Sequence, residues 1–180
     1  MKIKTFDGKK TRIRKLARKD LQHIKKFQDF INSLVEEDVR ISRNKKMSLE
    51  NEKRWLEQTF KSTRKRQQVF LIAECDGMVV GTASVELGKG RMEHVGHLGI
   101  SIRRDYRGLG IGKFLMRNIL KMARKELKPR PKVIRLSVFP DNKPVINLYE
   151  KFGFKKVARI PNQIRYKNKI IDEIIMLLYL

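Results

Sequence analysis

Arg107-Gly108-Leu109-Gly110-Ile111-Gly112 governs the reading of this chain, because it joins an apolar run ending at Ile102 to an amphipathic stretch beginning at Lys113. A strand, a glycine-rich turn and a helix in that order form a layout that binds phosphate. Three glycines let the backbone curl tightly, and the start of the following helix presents unpaired N–H groups and a partial positive charge to an anion. Glycines also serve plain turns and close helix packing, so the motif takes its meaning from its surroundings.

On the near side, Val95 to Ile102 reads as the strand before the turn, and beyond it Phe114, Leu115, Ile119, Met122 and Ala123 share one helical side. Two prolines within Lys128 to Lys132 end that helix. Val133 to Phe139 is continuous enough in apolar residues for a central strand, parallel to the earlier one through a helical crossover. Asn142 or Asp141 caps a short helix that stops at Gly153, a natural left-handed position, and Phe154 to Ile160 and Ile170 to Leu178 follow as closing strands. Upstream, Gln68 to Glu74 and Met78 to Leu87 are strands joined by Cys75-Asp76-Gly77, where Asp-Gly signals a hairpin. Before them, Leu21, Ile24, Phe27, Ile31 and Leu34 recur at helical spacing after a cap at Asp20. Ser48 caps a second helix with Glu50 and Glu52 in its first turn. Residues 10 to 17 alternate as a half-buried first strand would.

The length of 180 residues suits one domain over 1–180, with its core from about residue 10. No apolar run approaches the roughly 18 residues of a membrane span. Lys2, Lys4, Lys9 and Lys10 precede no apolar signal region, so a soluble, cytoplasmic protein is expected. Cys75 is the only cysteine, which rules out an internal disulfide and favours burial as a small hydrophobe. Lys and Arg number 43 against 19 Asp and Glu, a net charge of +24 that favours anionic ligands. The basic runs Lys9 to Lys19, Lys61 to Arg66 and Lys121 to Lys132 hold few aromatics for base stacking and no nucleic-acid motif. They read as solvated faces, with a ribosomal or RNA-bound role left open.

The order of elements, the glycine turn and the run Asn142 to Phe154 together resemble the GNAT superfamily of acetyl-CoA-dependent N-acetyltransferases over almost the whole chain. Arg107, Gly110 and Gly112 match the family pattern Arg/Gln-x-x-Gly-x-Gly/Ala, and Asn142, Tyr149, Gly153 and Phe154 match its second signature. His94 to Ile102 followed by Asp105-Tyr106-Arg107-Gly108 is similar to the branch holding phosphinothricin-type and ribosomal-protein-type acetyltransferases. The resemblance implies an α/β (α+β) fold with a central mixed, mostly antiparallel twisted sheet of about seven strands. About four helices flank it, and it splays between its fourth and fifth strands. Backbone groups of Ile100, Ser101 and Ile102 would pair with the pantetheine arm of acetyl-CoA. Amides of Arg107, Gly108, Leu109, Gly110, Ile111, Gly112 and Lys113 would cradle the pyrophosphate, with Asn142 and Tyr149 also at the cofactor. Dimers are common among such proteins, so a homodimer is an open expectation.

The activity implied is acetyl transfer from acetyl-CoA to a primary amine, of a protein N-terminus or a small molecule, by direct attack in a ternary complex. Such a site must remove a proton from the amine, stabilise an oxyanion and protonate the departing thiolate. The family match offers Tyr149 for the thiolate; the alternative is that it packs on the face it shares with Val145 and Ile146. Many relatives carry Glu where this chain places His97, whose imidazole has an ordinary pKa of about 6.5 and can take the amine's proton directly or through water. Glu93 is the nearby carboxylate, and an amide near Gly99 or Ile100 serves the oxyanion. His94 and His97 are an odd number of positions apart and would not chelate one metal from a regular strand, so no metal is expected. Acceptor specificity is expected in Val35 to Met47 and Gly88 to Glu93, with Glu36, Glu37 and Asp38 either holding an acceptor cation or simply solvated. The competing reading is a catalytically weak CoA-binding or RNA- or ribosome-associated basic module.

Overall fold

The computed structural model describes residues 2–41 and 43–180, so Ser42, inside the expected acceptor segment, lies outside the described residues, as does Met1. The chain runs β1 (Lys2–Phe6), β2 (Lys9–Lys15), α1 (Ile24–Glu36), α2 (Leu49–Arg64), β3 (Gln68–Cys75), β4 (Met78–Leu87) and β5 (Val95–Ile102). It continues through α3 (Ile111–Glu126), β6 (Val133–Val138), α4 (Lys143–Lys151), β7 (Lys155–Tyr166) and β8 (Lys169–Tyr179). Among the described residues eight strands form one sheet in the order β1-β2-β3-β4-β5-β6-β8-β7, and only β5 and β6 pair in parallel.

Alternation along the strands divides the core between the two faces of the sheet. Leu115, Met116 and Ile119 of α3 and Ile146 of α4 pack with Val85, Ile134 and Met176 on one face. Leu34 of α1 and Leu56 of α2 cover Phe70 and Ile72 on the other. Ser48 caps α2 as expected, its Oγ accepting from Asn51 N–H at 3.2 Å. Cys75 is buried, and burial pushes its thiol pKa up, which suits an inert core residue. Among the described residues no helix is long and apolar enough to cross a membrane.

Three local differences from the sequence reading have physical causes. The eighth strand is β1, which pairs with β2 through a tight turn whose Asp7 and Gly8 both adopt positive φ (46° and 74°). Phe6 at its end is buried in the main core. Asp20 does not cap α1; it sits in a 3₁₀ turn, where its carboxylate accepts from Ala17 N–H at 2.8 Å and from Arg14. Finally, β7 runs past Pro161, because it is the sheet's edge and its register slips between Ile160 and Ile164.

The parallel contact between β5 and β6 is short. Val95, Gly96 and His97 pair with Val133, Ile134 and Arg135, and beyond His97 the two strands separate. This is the splay expected between the fourth and fifth strands, displaced by one in the numbering because β1 precedes them.

Candidate functional site

Leu98 to Ile102 keep their partners on β4, where Ile100, Ser101 and Ile102 face Ala83, Thr82 and Gly81. Their other edge has no strand partner. An extended ligand can add there as a strand would, using main-chain N–H and C=O groups that have no sheet partner on that side.

That open edge leads directly to the glycine loop. Gly108 and Gly110 adopt φ of +78° and +91°, so glycine is required there by backbone conformation. Gly110 is the residue before α3 and brings no side chain to cap it. The first helical bond runs from Phe114 N–H to Gly110 C=O at 3.0 Å, which leaves the amides of Ile111, Gly112 and Lys113 ahead of it. Gly112 differs from its neighbours. Its φ is ordinary, and an added Cβ would find only ordinary contacts, Ile102 Cγ1 at 3.8 Å and Leu148 Cδ2 at 3.9 Å. Neither conformation nor packing demands glycine at 112; the strict requirement falls on Gly108 and Gly110, whose turn leaves the first amides of α3 open to an anion. The residues present therefore fit a nucleotide diphosphate.

Arg107 braces this loop with its side chain, which is 41% exposed. Its Nε donates to Ile102 C=O at 2.8 Å and its Nη2 to Glu37 Oε2 at 2.6 Å. Glu37 also accepts from Arg104 N–H at 3.3 Å. Lys113 is exposed at the helix start.

Tyr149 lies on α4, 6% exposed, with its ring 5.7 Å from that of Phe154. Burial pushes its phenol up to about 12, so it is protonated at neutral pH. Among the described residues the only buried side-chain polar atom without a partner is Arg103 Nε. Asn142 precedes α4; its C=O accepts from Val145 and Ile146 N–H, while its side chain makes no capping bond.

His97 is exposed and occupies the last paired position before the splay, opposite Glu86 on β4 and Arg135 on β6. Directly opposed residues share a face, so a carboxylate and a guanidinium flank the imidazole across the sheet. Neither neighbour was singled out in the sequence, because strand register supplies the pairing; counting back along the Asp76-Gly77 hairpin reaches Glu86 only once β5 is placed. His94 stands outside β5, so the alternation argument does not apply to it.

The acidic trio does not await an external cation. Glu36 pairs with Lys46 at 2.7 Å, Glu37 with Arg107, and Asp38 with Lys167 at 3.8 Å. The segment after α1 is also tied down by Tyr166 Oη, which donates to Asp38 C=O at 3.1 Å, and by a two-point pair between Arg40 and Asp141. It thereby joins the β6–α4 loop and the β7–β8 hairpin in one wall, beside a cleft of about 650 Å³ that Asp141 and Tyr166 help to line.

The model of the acetyltransferase (GNAT) family matches residues 30–154. The chain is 36% identical over 86 residues to an L-amino acid N-acetyltransferase of Escherichia coli, covering 47% of this chain and 52% of that protein. It is 38% identical over 100 residues to an N-alpha-acetyltransferase of Sulfurisphaera tokodaii, covering 51% and 59%. The chain thus spans about half the length of the curated relatives it matches. A Salmonella typhimurium protein solved with its cofactor acetyl-CoA superposes with a TM-score of 0.79 at 20% identity, covering 94% of each chain.

Proposed function

The chain belongs to the acetyltransferase (GNAT) family, and from that premise we propose that it is a single-domain N-acetyltransferase acting on α-amino groups, of free amino acids or protein N-termini. The carrying observation is the continuity of the open β5 edge with the uncapped amides of α3, next to Leu148 of the helix that carries the protonated Tyr149. Acetyl-CoA, when bound, supplies the acetyl group as a thioester. Ile100, Ser101 and Ile102 hold its pantetheine arm through the main chain, and the amides of Gly108 to Lys113 hold its diphosphate. Arg107 contributes by fixing the loop.

The amine attacks in a ternary complex. His97 takes its proton, the Gly99 or Ile100 amide stabilises the oxyanion, and the Tyr149 hydroxyl donates a proton to the departing sulfur. Burial keeps the phenol protonated and ready to hydrogen-bond the sulfur as charge develops on it; the phenolate that full transfer leaves is disfavoured there and regains a proton from solvent. The α-amine assignment is supported by the names of the two relatives, one acting on L-amino acids and the other on N-alpha groups. The acceptor's far wall is the 35–47 segment with the β7–β8 hairpin.

Incubation with acetyl-CoA and a panel of amino acids, N-terminal peptides and polyamines tests the reading by release of free thiol. Release with α-amines and not with polyamines is the expected result. Saturable CoA binding without release would replace it with the binding-module alternative.

A further inference from the structure

The β1–β2 hairpin leans on the glycine loop, and its cations are held in place there. Phe6 packs edge-on against Phe114 in the first turn of α3, with centroids 5.8 Å apart, and lies 3.8 Å from where a Cβ on Gly110 would stand. Lys9 Nζ donates to Asp105 C=O at 3.1 Å and sits 4.4 Å from the Tyr106 ring centroid, which ties the hairpin to the segment entering the loop. Lys4 is different. Its Nζ lies 5.3 Å from the Phe6 ring and 5.1 Å from the Phe114 ring, and it takes no part in the ion pairs of the described residues. An exposed ammonium is thus steered by two aromatic faces to the first turn of α3, the turn that begins with the amides of Ile111 to Lys113.

Resting on the donor reading above, we propose that Lys4 binds a second phosphate of the donor, the ribose 3′-phosphate of coenzyme A, while Lys9 positions the loop. A diphosphate seated on the α3 amides satisfies those N–H groups. A phosphate monoester carries about two further charges and attracts the cations that form no ion pair among the described residues, of which Lys113 stands on the helix itself and Lys4 reaches in from the hairpin. The hairpin then distinguishes a nucleotide with the 3′-phosphate from one without it.

Titration calorimetry of the full chain with CoA and with dephospho-CoA tests this. Lys4→Met should weaken CoA by roughly three- to tenfold and leave dephospho-CoA unchanged, a difference that shrinks with added salt. Lys10→Met removes the same charge from the opposite face of the hairpin, since Lys10 pairs with Thr5 rather than with Phe6 or Lys4, and should change neither. Equal weakening of both ligands by Lys4→Met, or no change in their ratio, overturns the proposal while leaving the donor reading intact. Failure of the unaltered protein to bind either ligand overturns the donor reading itself.

Discussion

Arg107 and Glu37 meet at 2.6 Å, and this ion pair fastens the C-terminal end of α1 to the glycine loop. Glu37 is well covered, with 14% of its side chain exposed. Replacing it by Gln removes the charge and keeps the shape, so Arg107 would still hold Ile102 C=O but lose its ionic anchor. Glu37→Gln is expected to raise the Kd for CoA by about three- to tenfold with little change in the denaturation midpoint, as calorimetry and urea unfolding would report. An unchanged Kd would show that Ile102 alone suffices to order the loop.

Tyr149 carries the second expectation. Its phenol is pushed from 10 to about 12 by burial, so a loss of rate from its ionisation should not begin until well above pH 10. Tyr149→Phe keeps the packing on Phe154 and removes the proton donor. The thiol-release rate is expected to fall by about 10²-fold, with CoA affinity nearly unchanged. A variant with the parent rate across pH would assign Tyr149 to packing alone.

Much of this arrangement is legible in the residues, and the remainder has identifiable causes. Val95 to Ile102 coincides with β5, and Gly153 takes its left-handed position with φ of 88°. Both are local signals. The Asp-Gly hairpin signal at 76–77 has a twin at 7–8, but the strand it serves, Lys2 to Phe6, is short and mostly exposed, so periodicity does not reveal it. The pairings Glu37–Arg107 and Arg40–Asp141 join residues far apart in the chain, and no spacing rule relates them. For the same reason Glu36, Glu37 and Asp38 read equally well as a binding cluster or a solvated one, when each serves an internal cation.

Glu52 makes stability depend on pH in a definite direction. It is 3% exposed on α2, and burial raises its carboxyl from 4.5 to about 7, partly opposed by Arg43. Because the folded pKa exceeds the unfolded one, the protonated form is the one favoured by folding. The associated stability is fully present below about pH 4.5 and is lost as pH rises through about 7. Glu52→Gln should therefore gain on the order of 1–3 kcal/mol over the parent at pH 8 and little at pH 4, read from urea midpoints at the two pH values.

Arg14 bridges two carboxylates, donating to Asp20 from both terminal nitrogens at 2.7 Å and to Glu74 from Nε and Nη2 at 2.7 and 2.6 Å. Its own side chain is 11% exposed, and Asp20's only 3%. Arg14→Met would leave two covered negative charges facing each other at the junction of β2, β3 and the turn before α1. A loss of about 3 kcal/mol at pH 7 is expected, read from urea midpoints, and a smaller loss for Arg14→Lys, which keeps the charge but not the fork. Equal losses for the two variants would mean that the planar fork, rather than the charge, holds the junction.

Gly110 and Gly112 differ in what the backbone asks of them. Gly110 is held at φ +91°, so Gly110→Ala strains the backbone and should destabilise the protein. Gly112 sits in the first turn of α3 with an ordinary φ, and a methyl group there would touch Ile102 and Leu148 at comfortable distances. Gly112→Ala should raise stability by about 0.4–1 kcal/mol, since alanine lowers the entropy of the unfolded chain and fits the helix. That methyl group would face Ile102 and Leu148, and the family pattern accepts alanine at this position, so CoA affinity should be nearly unchanged. A variant that is more stable and still binds CoA places the strict need for glycine at 108 and 110, where the backbone is left-handed. Loss of CoA binding in a more stable Gly112→Ala would show instead that the phosphate approaches residue 112 more closely than a methyl group allows.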